Sequence, residues 1–319
     1  MFEKLKKKQH VSETEKKDGN GILVIRERDP QVCGGTNTTL DTKAPKEISS
    51  HDMTIFDVTS ALNAQGGKNP EGEESLRYIS AFAVPAGTGS FLFLETRTGQ
   101  RKREGETKSA ALLTENVFPG LCRLVRDCRL AERNGYQSHT YGLPENFGGS
   151  IDIKYGSGER ISCSNNQSPV LSYEAGTRIA SFFEKALQGR KQEIPPVSLL
   201  SAIRFSEKRT GGGYTKAHLT LNPDGTGTNH KESKYDVAVY ESASEIDAAT
   251  MKKIMDEIER SALFAWEKLP ASGLRYGADE EMTFEFKDGR EITVRKDRAL
   301  PDQISRGFFN IQLEMTTKH

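Results

Sequence analysis

The chain has 319 residues, enough to bury a large hydrophobic core and, by the usual size of domains, to form about two of them. Its 45 basic and 45 acidic side chains give a formal net charge of zero, which excludes the strong overall positive field of many nucleic-acid-binding proteins. The four cysteines are too few for the disulfide framework of a small secreted domain, so we expect a cytoplasmic protein.

The N-terminal segment differs in composition from the rest. Residues 1–44 are rich in lysine and then in Gly, Asn, Asp and Thr, which predicts a flexible tail because such a segment has little apolar surface to bury. The run ILVI predicts one short strand at 22–25. The basic start is not followed by an apolar segment, and no apolar run approaches the ~20 residues of a spanning helix. We therefore expect neither a secretory signal nor a membrane partner.

The remainder of the chain repeats one short pattern. The stretch YGSGERISC ends at Cys163, and the stretch FKDGREITV ends at Val294. Each places apolar residues two apart around a glycine turn, which is the pattern of an antiparallel hairpin. We predict two tandem α+β repeats at 45–190 and 195–319, joined through the segment GRKQEIPP, whose prolines resist helix and sheet.

A helix pattern precedes each hairpin and another follows it. Leu121 and Val125 correspond to Ile254 and Ile258 as buried positions, and Asp247 is placed as an N-cap. Strand patterns open each repeat, so each repeat is predicted as β-β-α-β-β-α, with one extra strand in the second. This order predicts mainly antiparallel sheets with helices packed on one face. The segment DMTIFDVTSALNA precedes these strands and has no evident counterpart in the second repeat.

Comparison of the two repeats helps to interpret side chains that could be reactive. If the corresponding position in the other repeat is apolar, core packing is the simpler explanation for the residue. Cys163 corresponds to Val294 and Cys122 to Met255, so we interpret both thiols as core residues and not as nucleophiles. The six histidines lack the spacing of metal ligands, so we predict no metal and no cofactor.

Three further features are assigned to structure. The glycine-rich pieces at 86–90 and 210–214 lie between strands, whereas a phosphate-binding loop leads into a helix N-terminus. Phe91 and Phe93 alternate with leucines, which predicts a strand buried on both faces, so no nucleic-acid partner is expected. His218 alternates with apolar neighbours on a predicted strand and is expected to face solvent.

The two repeats differ most in the loop between the first helix and the hairpin, and at the exit of the hairpin. The first repeat concentrates neutral hydrogen-bonding and aromatic groups there. These are the candidate binding residues: His139, Tyr141, Glu145, Asn146, Asn165 and Asn166. The alternative is loop drift, with the asparagines acting as turn formers that satisfy local backbone groups.

The leading functional prediction is a non-catalytic binding or interaction module for an unidentified small molecule or protein. It would use the groove between the repeats or the polar loops of the first repeat. The alternative is an enzyme of unrecognised class, a hydrolase with His139 and Glu145 as acid and base. Convergence of those two side chains in a closed pocket favours the enzyme, and an open groove favours binding.

Overall fold

The computed structural model describes the chain at 11–15, 21–28, 35–62, 75–99, 105–142, 147–190, 195–267, 269, 278–296 and 302–317. Contacts within the chain divide it into two units. The first unit comprises Met1–Ser109 and Leu113–Gly189, and the second unit comprises Ala110–Leu112 and Arg190–His319.

The described residues form sixteen strands and four α-helices. The strands are β1 (Val11–Glu15), β2 (Ile22–Arg28), β3 (Thr36–Asp41), β4 (Met53–Ala61), β5 (Tyr78–Ala86), β6 (Gly89–Arg97), β7 (Thr107–Leu113), β8 (Tyr136–Thr140), β9 (Gly149–Tyr155), β10 (Arg160–Asn165), β11 (Leu200–Arg209), β12 (Tyr214–Leu221), β13 (Gly227–Tyr235), β14 (Ala238–Ile246), β15 (Ala278–Phe286) and β16 (Glu291–Arg295). The α-helices are α1 (Phe118–Asp127), α2 (Tyr173–Leu187), α3 (Ala248–Ser261) and α4 (Asp302–Thr316). Short 3₁₀ turns are found at Leu130–Arg133, Val197–Leu199 and Leu263–Trp266.

The strands form two sheets. The first has ten strands in the order β1-β2-β3-β8-β10-β9-β4-β5-β6-β7, and the second has six in the order β14-β13-β12-β11-β15-β16. Where the register of neighbouring strands is described, every pair is antiparallel except β8 with β10. The chain is thus a mixed α+β protein with mostly antiparallel sheets, as the sequence predicts.

The segment DMTIFDVTSALNA forms β4, which lies inside the first sheet between β9 and β5. Phe56 and Val58 on this strand are fully buried, and so is Ser60 near the end of the strand. The Ser60 hydroxyl accepts hydrogen bonds from the N–H groups of Val170 at 3.1 Å and Leu171 at 3.3 Å. Comparison of the two repeats assigned this segment no counterpart, because no segment of the second repeat resembles it in residue type.

The N-terminal strands extend the first sheet. The strand predicted at 22–25 is part of β2, and β1 and β3 are strands where the sequence predicts a flexible tail. On β3 the hydroxyls of Thr36 and Thr38 lie 2.8 Å and 3.1 Å from those of Thr140 and Ser138 on β8. Cross-strand hydroxyl pairs hold this polar strand, so its sequence lacks the alternating apolar residues from which a strand is predicted.

Both predicted glycine hairpins are present, as β9 with β10 and as β15 with β16. The Gly158 N–H donates to the Tyr155 carbonyl at 3.0 Å, and the Gly289 N–H donates to the Phe286 carbonyl at 2.9 Å. The two glycines have φ values of +91° and +85°, a region that side chains other than glycine rarely adopt. The turn glycines therefore have a conformational role, as the sequence predicts.

The predicted N-cap of α3 is confirmed. Asp247 caps this helix, because its carboxylate accepts the Thr250 N–H at 2.7 Å. Ser172 caps α2 by accepting the Ala175 N–H at 3.1 Å, and Gly189 follows this helix with a φ of +71°. By contrast, α1 begins at Phe118 without a side-chain cap. The last segment of the chain is helical, as α4.

Helices pack against both sheets. Within the first unit α2 lies against β5 and β6, and within the second unit α4 lies against β12 and β13. The rings of Phe56 and Phe183 are 5.7 Å apart in the first core, and those of Phe205 and Phe308 are 6.4 Å apart in the second. Full burial of each such side chain contributes roughly 1.5–3 kcal/mol, so these aromatic contacts hold the helices to the sheets.

Strands β7, β8 and β13 are additional to the predicted elements, and β8 occupies part of the stretch predicted as a loop between the first helix and the hairpin. The inward residues of β13 include Asn229 and Ser233, which are buried although they are polar. The Asn229 side-chain amide donates to the Met315 carbonyl at 2.8 Å, and the Lys231 ammonium donates to the Thr316 carbonyl. This strand thus satisfies carbonyls at the C-terminal end of α4, a role that leaves no apolar pattern to detect.

We predict that Asp247→Ala lowers the urea concentration at the midpoint of unfolding, because the Thr250 N–H loses its acceptor. Urea denaturation followed by circular dichroism measures the change. Asp247→Asn is the control, since asparagine retains an acceptor oxygen and should stay close to the wild type. Equal stabilities of the alanine variant and the wild type would contradict the cap.

The same cap predicts a pH dependence. The Thr250 backbone N–H holds the pKa of Asp247 below its usual range, so the folded pKa is lower than the unfolded one. Such a group stabilises the fold above its unfolded pKa, and the contribution is lost as pH falls through the folded pKa. The stability difference between the wild type and Asp247→Ala should therefore shrink in acid, as repeated urea titrations at decreasing pH would measure.

Candidate functional site

The structure places four of the six candidate residues at one end of neighbouring strands. His139 lies on β8, Tyr141 directly follows that strand, Asn165 ends β10 and Asn166 follows it. Because β8 and β10 are parallel neighbours, with Asn165 opposite Ser138, the four residues lie in the same region of the first sheet. Glu145, the partner of His139 in the alternative acid-base prediction, and Asn146 lie outside the described residues.

Both asparagine side chains bond to nearby backbone. The Asn166 amide accepts the Thr140 N–H at 2.9 Å and donates to the Thr140 carbonyl at 2.8 Å, so it takes the place of a strand partner. The Asn165 oxygen accepts the N–H groups of Gln167 at 2.8 Å and Ser168 at 2.9 Å. This is the geometry of turn-forming asparagines that satisfy local backbone groups.

The aromatic part of the candidate set is more accessible. The rings of His139 and Tyr141 meet edge to face with centroids 4.5 Å apart, and Tyr141 is exposed. His139 is half-buried, so Tyr141 is the ring of this pair that is open to contact with a partner. The assignment of these residues to a binding site remains a prediction.

The described thiols are not activated. Cys163 is 2% exposed, and burial raises its pKa to about 11. Burial also raises the pKa of Cys122, which is buried beside the first sheet. At neutral pH both groups are thiols and not thiolates, which suits core packing. No group of three or more metal-ligating side chains occurs within the part of the chain that the structure describes.

A buried carboxyl group lies in the first sheet. Glu95 on β6 is 1% exposed, and burial raises its pKa even though Lys108 and Arg97 act in the opposite direction. Arg97 Nε donates to the Glu95 carboxylate at 2.9 Å, and the Arg97 guanidinium lies 4.1 Å over the ring of Tyr78. The perturbed carboxyl is therefore held in an ion pair with a residue two positions further along the same strand.

The second sheet carries a groove on the face opposite its helices. The groove has a volume of about 740 Å³. Its lining residues all belong to β11, β12, β13, β14 and β15, so it is an open depression on a sheet and not a closed pocket. We call it the histidine groove and define it by Arg204, Lys216, His218, His230, Glu232 and Glu241.

The strand register explains why these side chains meet. Arg204 pairs with His218, and His218 pairs with His230, so the three form one row across β11, β12 and β13. Directly opposite residues project from the same face of a sheet, about 4.5–5.5 Å apart. The neighbouring row holds Lys216 and Glu232. The register therefore builds a compact surface of mixed charge.

Charged side chains and the Tyr214 hydroxyl surround the histidine groove. Arg204 bonds to Glu291 at 2.8 Å, which holds the guanidinium at the edge of the row. The Tyr214 hydroxyl donates to Glu232, and this hydrogen bond raises the pKa of Tyr214. Lys216 lies 4.8 Å over the Tyr214 ring. The histidines thus stand between positions where charged side chains are already oriented.

Sequence reasoning found one half of the histidine pair. His218 is exposed between buried neighbours on β12, as predicted from the alternation. His230 was missed, because β13 reads GTNHKESKY and was not recognised as a strand. The sequence carries no apolar alternation that would mark this strand, because its buried positions include Asn229 and Ser233.

Comparisons with known proteins add no function. No protein-family model matches the sequence, and no curated protein resembles it closely enough to count as a relative. Among the described residues, no helix combines the length and apolarity needed to cross a bilayer. The side-chain geometry is therefore the basis for any functional conclusion.

We predict that Asn166→Ala lowers the free energy of unfolding by roughly 1–3 kcal/mol, because a backbone N–H and a backbone carbonyl of Thr140 both lose their partner. Thermal and urea denaturation measure the loss. Ser168→Ala is the control, since this exposed residue lies two positions away in the same turn and its backbone N–H bond to Asn165 is kept. A variant at Asn166 with unchanged stability would show that the side chain is available for ligand binding.

Proposed function

We propose that the protein is a non-catalytic binding module and that the histidine groove is its binding surface. The observation that carries the proposal is the open groove itself, in which two histidines stand side by side among oriented charges of both signs. Open, polar depressions on a sheet suit the recognition of a partner more than the exclusion of water that catalysis needs.

The proposal includes an internal duplication, in which the second unit is a copy of part of the first. Six neighbouring strands of the first sheet lie in the order β10-β9-β4-β5-β6-β7, and the second sheet has the order β16-β15-β11-β12-β13-β14. In both, the four earlier strands lie side by side in chain order and the later hairpin pairs with the first of them. The strands β4 to β7 precede α1, and β11 to β14 precede α3. A hairpin and a second helix follow in both cases, with β8 inserted before the first hairpin. In this comparison β4 corresponds to β11, which gives the segment DMTIFDVTSALNA the counterpart that residue types did not reveal.

The helix ends support the same correspondence. After α1, Arg129 adopts the left-handed conformation with φ 52° and ψ 39°, and a 3₁₀ turn follows at Leu130–Arg133. After α3, Ala262 adopts φ 50° and ψ 40°, and a 3₁₀ turn follows at Leu263–Trp266. Left-handed residues other than glycine are uncommon, so their occurrence at the same place favours a shared origin.

The strand registers then match individual residues. The hairpin glycines align Asp152 with Thr283, which are opposite Asp57 and Arg204 in the central strands. The residue opposite Asp57 on β5 is Phe82, whereas the residue opposite Arg204 on β12 is His218.

Continuing one strand outward, Phe93 is opposite Phe82 and His230 is opposite His218. A row of buried aromatic residues in the first unit thus corresponds to the row of exposed histidines in the second. Phe82 and Phe93 are buried, and every residue of β6 up to Thr96 is buried, as the sequence predicts for Phe91 and Phe93.

Other positions in the two units agree in chemistry. By the same registers Tyr78 corresponds to Tyr214 and Glu95 to Glu232, and a basic residue follows each glutamate two positions later. Agreement around the row and divergence within it favour a change of role at the row itself. We infer that the first unit uses this face for packing and that the second unit uses it for binding.

The charges of the groove indicate the kind of partner. Arg204 and Lys216 are cationic, and Glu232 and Glu241 are anionic, so a polymer of a single charge sign would meet repulsion along part of the surface. A protein segment with both acidic and basic side chains can pair with both. We therefore propose a protein partner, recognised through a polar segment.

The proposal is tested with random peptides displayed on phage and selected on the full-length chain. Enriched peptides should bind His218→Ala/His230→Ala at least about tenfold more weakly, or ~1.4 kcal/mol, because the central row of the groove is lost. Thr220→Ala/Thr228→Ala is the matched control, since this pair lies on the same strands and outside the groove lining. Fluorescence anisotropy measures each dissociation constant.

Two outcomes would contradict the groove as the binding surface. One is a selection that enriches no peptide. The other is a peptide that loses affinity for Tyr141→Ala but binds the histidine variant like the wild type, which would place the site in the polar loops of the first unit.

A further inference from the structure

The edge strand β14 has no strand on its outer side among the described residues. It pairs only with β13, in an unbroken register that runs from Gly227 opposite Ile246 to Tyr235 opposite Ala238. Natural proteins protect such edges with charged side chains, lysine above all, and with proline, bulges or very short strands. This strand has nine residues, AVYESASEI, with no lysine, no proline and no bulge, and its charged residues are Glu241 and Glu245.

The side chains along the edge are also open to contact. Val239 is 51% exposed and Tyr240 is 61% exposed, and Val237 in the turn before them is 96% exposed. Apolar side chains on both faces of a long edge strand with no bulge favour the addition of another strand.

The turn before β13 determines which residues of β14 direct their backbone N–H and C=O groups away from β13. There the Asn222 N–H donates to the Thr226 carbonyl at 2.9 Å. Hydrogen-bonded pairs alternate with non-hydrogen-bonded pairs along antiparallel strands, so the even-numbered residues of β13 bond to β12 and the odd-numbered ones face β14. The partners of the odd-numbered residues are even-numbered, as Ser233 opposite Tyr240 illustrates. The odd-numbered residues of β14 therefore direct their backbone groups outward: Val239, Glu241, Ala243 and Glu245.

We propose that β14 pairs antiparallel with β14 of a second copy of this chain, about a two-fold axis at Ser242. An isologous pair needs outward-facing residues opposite outward-facing residues. With Ser242 opposite itself, all nine residues of the strand are paired and the odd-numbered residues meet one another. Registers shifted along the strand pair fewer residues.

The charges of the strand favour the same register. Glu241 faces Ala243 of the second copy, and Glu245 faces Val239. Moving the axis to Ala243 would put Glu241 opposite Glu245, and moving it to Glu241 would put that residue opposite itself. Like charges directly opposite each other destabilise a sheet, so the full-length register is also the best one electrostatically.

The end of the strand offers a further fit. In this register Val237 of one copy lies opposite Asp247 of the other. A hollow of about 290 Å³ is found at that end of β14, lined by Thr226, Glu245, Ile246, Asp247 and Thr250. The most exposed apolar side chain of the turn would thus approach a concave part of the second copy.

Sedimentation velocity on the full-length chain tests the proposal. The wild type should form dimers whose population rises with concentration. Ala243→Glu places a second glutamate opposite Glu241 twice per dimer and should raise the dissociation constant about tenfold, whereas Ala243→Lys places an opposite charge there and should lower it. A wild type that stays monomeric over the whole concentration range would overturn the proposal, and so would equal weakening by both substitutions.

Cysteine cross-linking tests the position of the axis independently. Ser242 is opposite itself in a non-hydrogen-bonded pair, with Cα atoms about 4.5 Å apart, which is within the range of a disulfide. Ser242→Cys should form a covalent dimer under mild oxidation. Ser244→Cys, the control, would face Tyr240 and should form no more than the wild type. Equal cross-linking of the two variants would overturn the register.

Discussion

The period of two residues along a β-strand is the constraint on which this structure depends. Because successive side chains point to opposite faces, the register of one residue fixes the face of every other residue in the strand. In the second sheet it directs Ile203 and Leu219 into the core and leaves Arg204, His218 and His230 outside. A slip by one residue would exchange the two sets and bury several charges, which is far more costly than any surface interaction gained.

The same alternation connects the histidine groove with the edge of the sheet. Glu241 and Ala243 line the groove and, in the proposed dimer, also face the second copy. Residues directly opposite each other share a face, so the dimer would present two histidine grooves on the same side of a continuous sheet. A partner with two recognition segments would then gain from effective concentration, without any new contact within either groove.

The sequence revealed those elements whose signals are local. The hairpins were predicted from Gly158 and Gly289, and the start of α3 was predicted from Asp247, because a turn glycine and an N-cap act on their immediate neighbours. The strands β3 and β13 were not detected, because polar side chains hold them in place. Hydroxyl pairs link β3 to β8, and the Asn229 amide links β13 to a carbonyl of α4.

The candidate site was less accessible to sequence reasoning than the fold. The asparagines 165 and 166 were selected for their polarity, but the side chains bond to backbone that only the sheet brings near. The histidine groove could not be predicted, because the meeting of His218 with His230 depends on the pairing of two strands, one of which was unrecognised. Long-range register is set by the whole sheet, and no single segment encodes it.

The strand register of the second sheet is the central claim, and nuclear Overhauser contacts between backbone Hα protons test it most directly. Non-hydrogen-bonded pairs in antiparallel strands bring their Cα atoms closest, to about 4.5 Å. Leu219 and Asn229 form such a pair in the register described, directly beside His218 and His230. The account predicts a strong Hα–Hα contact between Leu219 and Asn229. A contact from Leu219 to residue 228 or 230 in its place would shift the register, separate the histidines and contradict the account.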